Sequence, residues 1–97
     1  MKASGSSKDE RSVLAIRVHH DDNVAVVAAD VQAGGLVRLD DGAEVPAVEA
    51  IGRGSKIALR PIACGEAVVR YGEEIGKATQ DIAAGEHVHT HYLRRGE

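Results

Sequence analysis

The run Gly85-Glu86-His87-Val88-His89-Thr90-His91-Tyr92 sets three histidines at alternate positions near the end of a 97-residue chain. On an extended strand His87, His89 and His91 share one face, and Val88, Thr90 and Tyr92 share the other. Neighbouring imidazoles are then about 6.5–7 Å apart at Cα, and the outer pair about 13 Å. Two of them can reach one metal ion; three on a straight strand cannot easily do so. A metal site built on His87 and His89, with His91 as a third ligand, would draw further donors from His19, His20, Asp21, Asp22 or Glu86. Imidazole with carboxylate suits Fe(II), Mn(II) or Zn(II). A neutral imidazole can also take a proton from a substrate. The same alternation equally suits a polar face on a half-exposed strand, a set of structural hydrogen bonds, or a partner contact.

Other groups with chemical potential have simpler readings. His19-His20-Asp21-Asp22-Asn23 is a solvated turn cluster. Cys64 has no second cysteine to pair with and no adjacent histidine to lower its pKa, so it is expected as a buried, inert thiol. Gly72-Glu73-Glu74-Ile75-Gly76 carries two carboxylates where a phosphate cradle wants positive charge, and it reads as a hairpin turn.

The elements that must position these residues are strands. Apolar runs start at Val13, Val24, Leu36, Val45, Lys56, Ala67, Ile75 and Glu86, each too short for an ordinary helix. Asp41-Gly42 predicts a tight turn, and Pro46 puts its strand on a sheet edge. Three segments echo one another: Asp30-Val31-Gln32-Ala33-Gly34, Pro61-Ile62-Ala63-Cys64-Gly65 and Asp81-Ile82-Ala83-Ala84-Gly85. The pattern predicts one tight 3-10 turn closed by a left-handed glycine, followed each time by a strand. The expected organisation is a tail over residues 1–12, one all-β domain over 13–93, and an exposed end over 94–97.

Composition supports this and excludes several classes. Val and Ile number 18 against 5 Leu, with no Phe or Trp and only Tyr71 and Tyr92 as aromatics, a strand-favouring balance. A net charge of −3 opposes a non-specific nucleic-acid binder, and so few aromatics leave no base-stacking platform. No apolar run is long enough for a membrane helix and no secretory leader is evident, so a cytoplasmic location is expected, with no membrane or nucleic-acid partner. A free edge at Pro46 can pair with a second copy, giving a homo-oligomer.

Several motifs together resemble a known family. They are Lys56-Ile57-Ala58-Leu59-Arg60, Tyr71-Gly72 with Ile75-Gly76-Lys77-Ala78-Thr79, and Asp81-Ile82-Ala83-Ala84-Gly85-Glu86-His87-Val88-His89. This set is similar to the N-terminal domain of altronate and galactarate dehydratases, which also occurs as a separate small subunit in lyases such as sulfolactate sulfo-lyase. The resemblance implies an all-β, SAF-type β-clip fold. It also implies a part in dehydrating a hydroxy-acid substrate, Fe(II) or Mn(II) in the assembled enzyme, and a separately encoded large lyase subunit as partner. Catalytic roles then fall on His87 and His89. Two positions depart from the family pattern: Ser55 stands where a histidine is common, and Tyr92 where an asparagine is common. The rival expectation is a non-catalytic module that binds a carbohydrate or serves assembly.

Overall fold

The computed structural model describes residues 12–94. The expected tail and C-terminal end lie outside these residues, apart from Ser12 and Arg94. The described chain is all strand and turn: β1 (Val13–Ile16), β2 (Val24–Val27), β3 (Leu36–Leu39), β4 (Glu44–Pro46), β5 (Lys56–Ala58), β6 (Ala67–Arg70), β7 (Glu73–Ala78), β8 (His87–Val88), one 3-10 turn (Thr90–Tyr92) and β9 (Leu93–Arg94). Among the described residues no helix is long and apolar enough to cross a membrane.

Six strands form one sheet in the order β4-β3-β1-β2-β5-β8, and three form a second, β6-β7-β9. Only β1 and β3 run parallel. Pro46 lies on β4, the sheet edge, where its missing N–H costs no ladder bond. The core is made of small branched side chains in two clusters. One joins Ala15, Val27, Val37, Leu39 and Ile57. The other joins Val24, Ala58, Ile62, Val68, Ile82 and Val88.

The echoing segments share one device, and it is not the 3-10 turn that their sequences predict. Val31 bridges Ile51, and Ile62 bridges Ile82. After each comes a β-turn closed by an N–H three residues on, Gly35 to the Gln32 carbonyl and likewise Ser55 to Gly52, Glu66 to Ala63 and Glu86 to Ala83. Gly34, Gly54, Gly65 and Gly85 fill the third turn position at φ 85–87°, as a type II turn requires. The fourth copy, Ala50 to Gly54, escaped the sequence pattern because its middle residues are Gly52-Arg53. The Asp30 carboxylate accepts from the Arg53 N–H and Asp81 from the Cys64 N–H, both at 2.8 Å. The device is thus used as two matched pairs.

Three further expectations need correction. Gly72 to Gly76 is not a turn. The hairpin is confined to Tyr71-Gly72, with φ 59° and 77°, the type I′ geometry, and Glu73 already belongs to β7. The last strand does not run from Glu86 to Tyr92. Its partner β5 pairs it only through Lys56↔Val88, so beyond Val88 no strand edge remains. The Tyr92 carbonyl, held by the Thr79 N–H at 2.7 Å, draws the chain onto β7 instead. Cys64 is exposed, not buried, because it occupies a turn position.

The two sheets are joined by polar side chains read from sequence only as part of a turn. Asn23, 1% exposed, donates from Nδ2 to the Ala67 carbonyl and accepts the Val69 N–H on Oδ1 at 2.8 Å. Beside it, Asp22 is also buried; it accepts the Gly72 N–H at 2.7 Å and the His19 N–H at 3.1 Å. Burial pushes the Asp22 carboxyl up, but backbone donors from Gly72, His19, Tyr71 and Val18 outweigh this and hold it below its ordinary value. An acid depressed in the folded state stabilises fully above its unfolded pKa, and that contribution is lost as pH falls through the folded value. The urea midpoint is therefore expected to drop on acidification below about pH 4, and Asp22→Asn to flatten this acid limb. Asn23→Ala, which orphans two buried backbone groups on β6, is expected to cost about 2–4 kcal/mol in urea unfolding at neutral pH.

Candidate functional site

The site forms where β8 leaves the sheet. Gly85 fixes the entry: at φ 85° it also lies so close to the Pro46 carbonyl that a Cβ would collide with it. His87 then pairs with Ile57 on β5, and its N–H donates to Glu49 Oε2 at 2.9 Å. His89 is the extended residue preceding the 3-10 turn and His91 lies inside that turn. A 3-10 turn rises only about 2 Å per residue, against about 3.3 Å in a strand, so the chain folds His91 back over His89.

The result is a stack of rings. His87 and His89 have ring centroids 3.8 Å apart, and His89 and His91 4.9 Å apart at 26° between planes. Tyr92 meets His89 and His91 edge-on at 4.9 and 4.7 Å. Tyr92 therefore borders the imidazoles on the same side of the chain, where strand alternation predicts the opposite face. His87 and His89 are half-buried and His91 is exposed. Burial, reinforced by the positive charges of His89, Lys56 and His91 and opposed by Glu49, holds the His87 pKa below its ordinary 6.5. His87 is thus neutral at physiological pH, as a proton acceptor must be.

The stack brings the three predicted histidines together, but ring over ring. His89 and His91 stack, while His87 is tilted 45° from His89; an imidazole binds a metal with an in-plane lone pair, and the nitrogens of these three rings do not gather within 4.8 Å of one another. Among the described residues, the one trio of His, Cys, Asp or Glu whose ligand atoms lie within 4.8 Å of one another is His19, His20 and Asp21. These are surface residues, and His19 Nδ1 already accepts the Asp21 N–H at 3.1 Å. The other candidate donors serve the fold: Asp22 as described, and Glu86 by accepting the Ala83 N–H at 2.7 Å. By its own donor geometry the chain does not form a closed three-imidazole centre.

Sequence reading missed Glu49, Lys56, Arg70 and Thr90. Lys56 pairs with Val88 in the ladder and contributes to the field at His87. Lys56, Arg70, Ile75, Thr90 and Leu93 line a cavity of about 280 Å³ between the two sheets and the 3-10 turn. In sequence these residues are scattered, and Lys56 and Arg70 read as ordinary alternating surface cations. In a proton-detected histidine titration of the folded chain, the His87 ring signal is expected to turn over below pH 6.5; a midpoint at or above that value contradicts the electrostatic description.

Comparison with known proteins shows the family. Residues 13–96 match the model of the altronate/galactarate dehydratase SAF domain. The chain is 47% identical over 79 residues to altronate dehydratase of Escherichia coli, covering 81% of this chain and 16% of that protein. It is 41% identical over 76 residues to altronate dehydratase of Bacillus subtilis, covering 78% of this chain and 15% of that protein. It is also 36% identical over 80 residues to the (2R)-sulfolactate sulfo-lyase subunit alpha of Chromohalobacter salexigens, covering 76% of this chain and 85% of that subunit. The chain thus spans about a sixth of the dehydratases and most of the sulfo-lyase subunit. With the whole strand-and-turn scaffold and the histidine stack inside the matched region, the chain belongs to the altronate/galactarate dehydratase SAF domain family.

Proposed function

We propose that this chain is the small subunit of a hydroxy-acid lyase and works with a separate large subunit that supplies most of the catalytic machinery. The observation that carries the reading is the half-buried histidine stack: it holds a neutral base at an open surface, where a second body must close over it. The similarity to the alpha subunit of the sulfo-lyase, which covers 85% of that subunit, supports the small-subunit form. The similarity to altronate and galactarate dehydratases supports elimination of water from a sugar acid.

In that reaction the proton alpha to the carboxylate passes to His87. The electron pair of the broken C–H bond forms the new C=C bond as the C–O bond at the neighbouring carbon breaks. The hydroxide leaves as water with a proton from an acid across the subunit boundary, and the enol becomes a 2-oxo acid. His89, with its ring 3.8 Å from His87, orients the base and limits its charging. His91 and Tyr92 border the same ring stack. Fe(II) or Mn(II) in the assembled enzyme would polarise the departing hydroxyl. Because the ligand atoms of the three rings do not gather at one point, no step is assigned to metal held by this chain alone.

The test is the His87→Ala, His89→Ala double variant in the assembled enzyme. Turnover is expected to fall by at least roughly a hundredfold, while the small subunit keeps its circular dichroism and thermal transition. Unchanged turnover would remove both histidines from the chemistry.

A further inference from the structure

The cavity beside the histidine stack has an electrostatic character that the elimination chemistry does not use. We propose that Lys56, Arg70 and Thr90 form a subsite that binds the carboxylate of a small hydroxy acid. The inference deepens the lyase reading by naming the part of the substrate that this chain holds.

Four observations converge on it. The cavity of about 280 Å³ is lined by two cations, one hydroxyl, and the apolar side chains of Ile75 and Leu93. That is a small site with few polar groups, the usual make-up of a pocket for a small ligand. Arg70 Nε is buried and has no hydrogen-bond partner among the described residues, although nearly all such groups in folded proteins are satisfied. Among the described residues neither cation has a counterion. The ion pairs among the described residues are Arg17–Asp41, His19–Asp21, His20–Asp21, Arg60–Glu66 and Lys77–Glu74, so the carboxylates of Glu66 and Glu74 are already engaged. Finally, Lys56 is held below its ordinary pKa by burial and then by the charge of Arg70. Two partly buried cations held near each other are unfavourable until an anion joins them.

The backbone around the cavity is built to hold this arrangement. The register of β6 and β7 slips between Val68 and Val69, leaving Ile75 as an extra residue on β7. Such bulges re-aim side chains, and Ile75 lines the cavity wall. Tyr71 takes φ 59°, a conformation that bulky residues rarely adopt and that a type I′ turn normally gives to Asn or Gly. Its ring lies 4.8 Å below the Arg70 guanidinium. Tyr71 is thus a positioning residue: it braces the guanidinium by a cation–π contact and leaves its N–H donors for a ligand. A carboxylate matches this donor set, since guanidinium and ammonium give charge-assisted bonds to its two oxygens.

The full chain, labelled with ¹⁵N, is titrated with sodium L-tartrate and, separately, with galactitol, a polyol that carries no carboxylate. Tartrate is expected to shift the amides of Lys56, Arg70, Tyr71 and Thr90 along one saturable curve, and galactitol to leave them in place. Arg70→Gln is expected to weaken tartrate binding by roughly tenfold or more. Tyr71→Asn suits the turn better, so it is expected to keep or raise thermal stability while weakening tartrate binding several-fold. That split separates positioning from folding. No saturable shift at these amides, equal shifts with galactitol, or unchanged affinity in Arg70→Gln would overturn the subsite. Because this readout involves no turnover, its failure is distinct from failure of the histidine double variant.

Discussion

The side chain of Asn23 sets the geometry on which the rest of this small protein depends. Strand β6 lies against the six-stranded sheet without pairing to it as a strand, so the backbone groups of Ala67 and Val69 face inward. A buried amide or carbonyl without a partner is costly. Asn23 carries both a donor and an acceptor on a short stem, and it satisfies both strand residues at once. Its own backbone completes the clasp, donating to the Val69 carbonyl at 3.2 Å and accepting from the Leu59 N–H at 2.9 Å. Asp22 extends it to the Tyr71-Gly72 hairpin. One dipeptide therefore fixes where β6 and its hairpin stand relative to β5, and with that where Arg70 stands relative to Lys56.

A chain with no Phe or Trp has little large apolar area with which to hold such a scaffold. Its largest fully buried side chains are Ile, Val and that same Asn23. Backbone closure does much of the work instead. Each of the four glycine turns caps a strand entrance, and each turn glycine donates its N–H to a carbonyl of another segment: Ala47, Val27, Ala78 or Ala58. Matched aspartates tie the turns in pairs. The last turn matters most for the site, because Gly85 is wedged against Pro46 and so sets the direction in which His87 emerges.

The sequence made some of this legible and hid the rest, for identifiable reasons. Short β-branched runs bounded by turn residues carry their own period, so eight of the strands were foreseeable, as was the edge position of Pro46. The Lys56–Arg60, Tyr71–Thr79 and Asp81–His89 motifs together carried the family. What failed was every inference that needed to know the neighbour. The alternation of His87, His89 and His91 predicts a straight strand; it breaks because β5 offers no edge past Lys56, a fact of pairing and not of the run itself. Asp22 and Asn23 look like any polar turn, since their partners are 44 to 50 residues away. Lys56 and Arg70 read as surface charges for the same reason.

The charge distribution gives these local features a common sense. The chain is acidic overall, at −3, yet around β8 it gathers His87, His89, Lys56 and Arg70, with Glu49 as the carboxylate that acts on His87. Such a concentration is destabilising in isolation: burial first, and neighbouring positive charge second, depress the basicity of both His87 and Lys56. A fold with so few large side chains would gain from replacing them with neutral residues of similar size. That they stand on opposite sides of one junction, one held in place by a sheet ladder and another by a strained tyrosine, argues that the field is maintained for a negatively charged visitor. Burial first, then the charges of His89 and Lys56, keep His87 neutral, so one cation of the pair, Lys56, acts both on the cavity and on the proton acceptor.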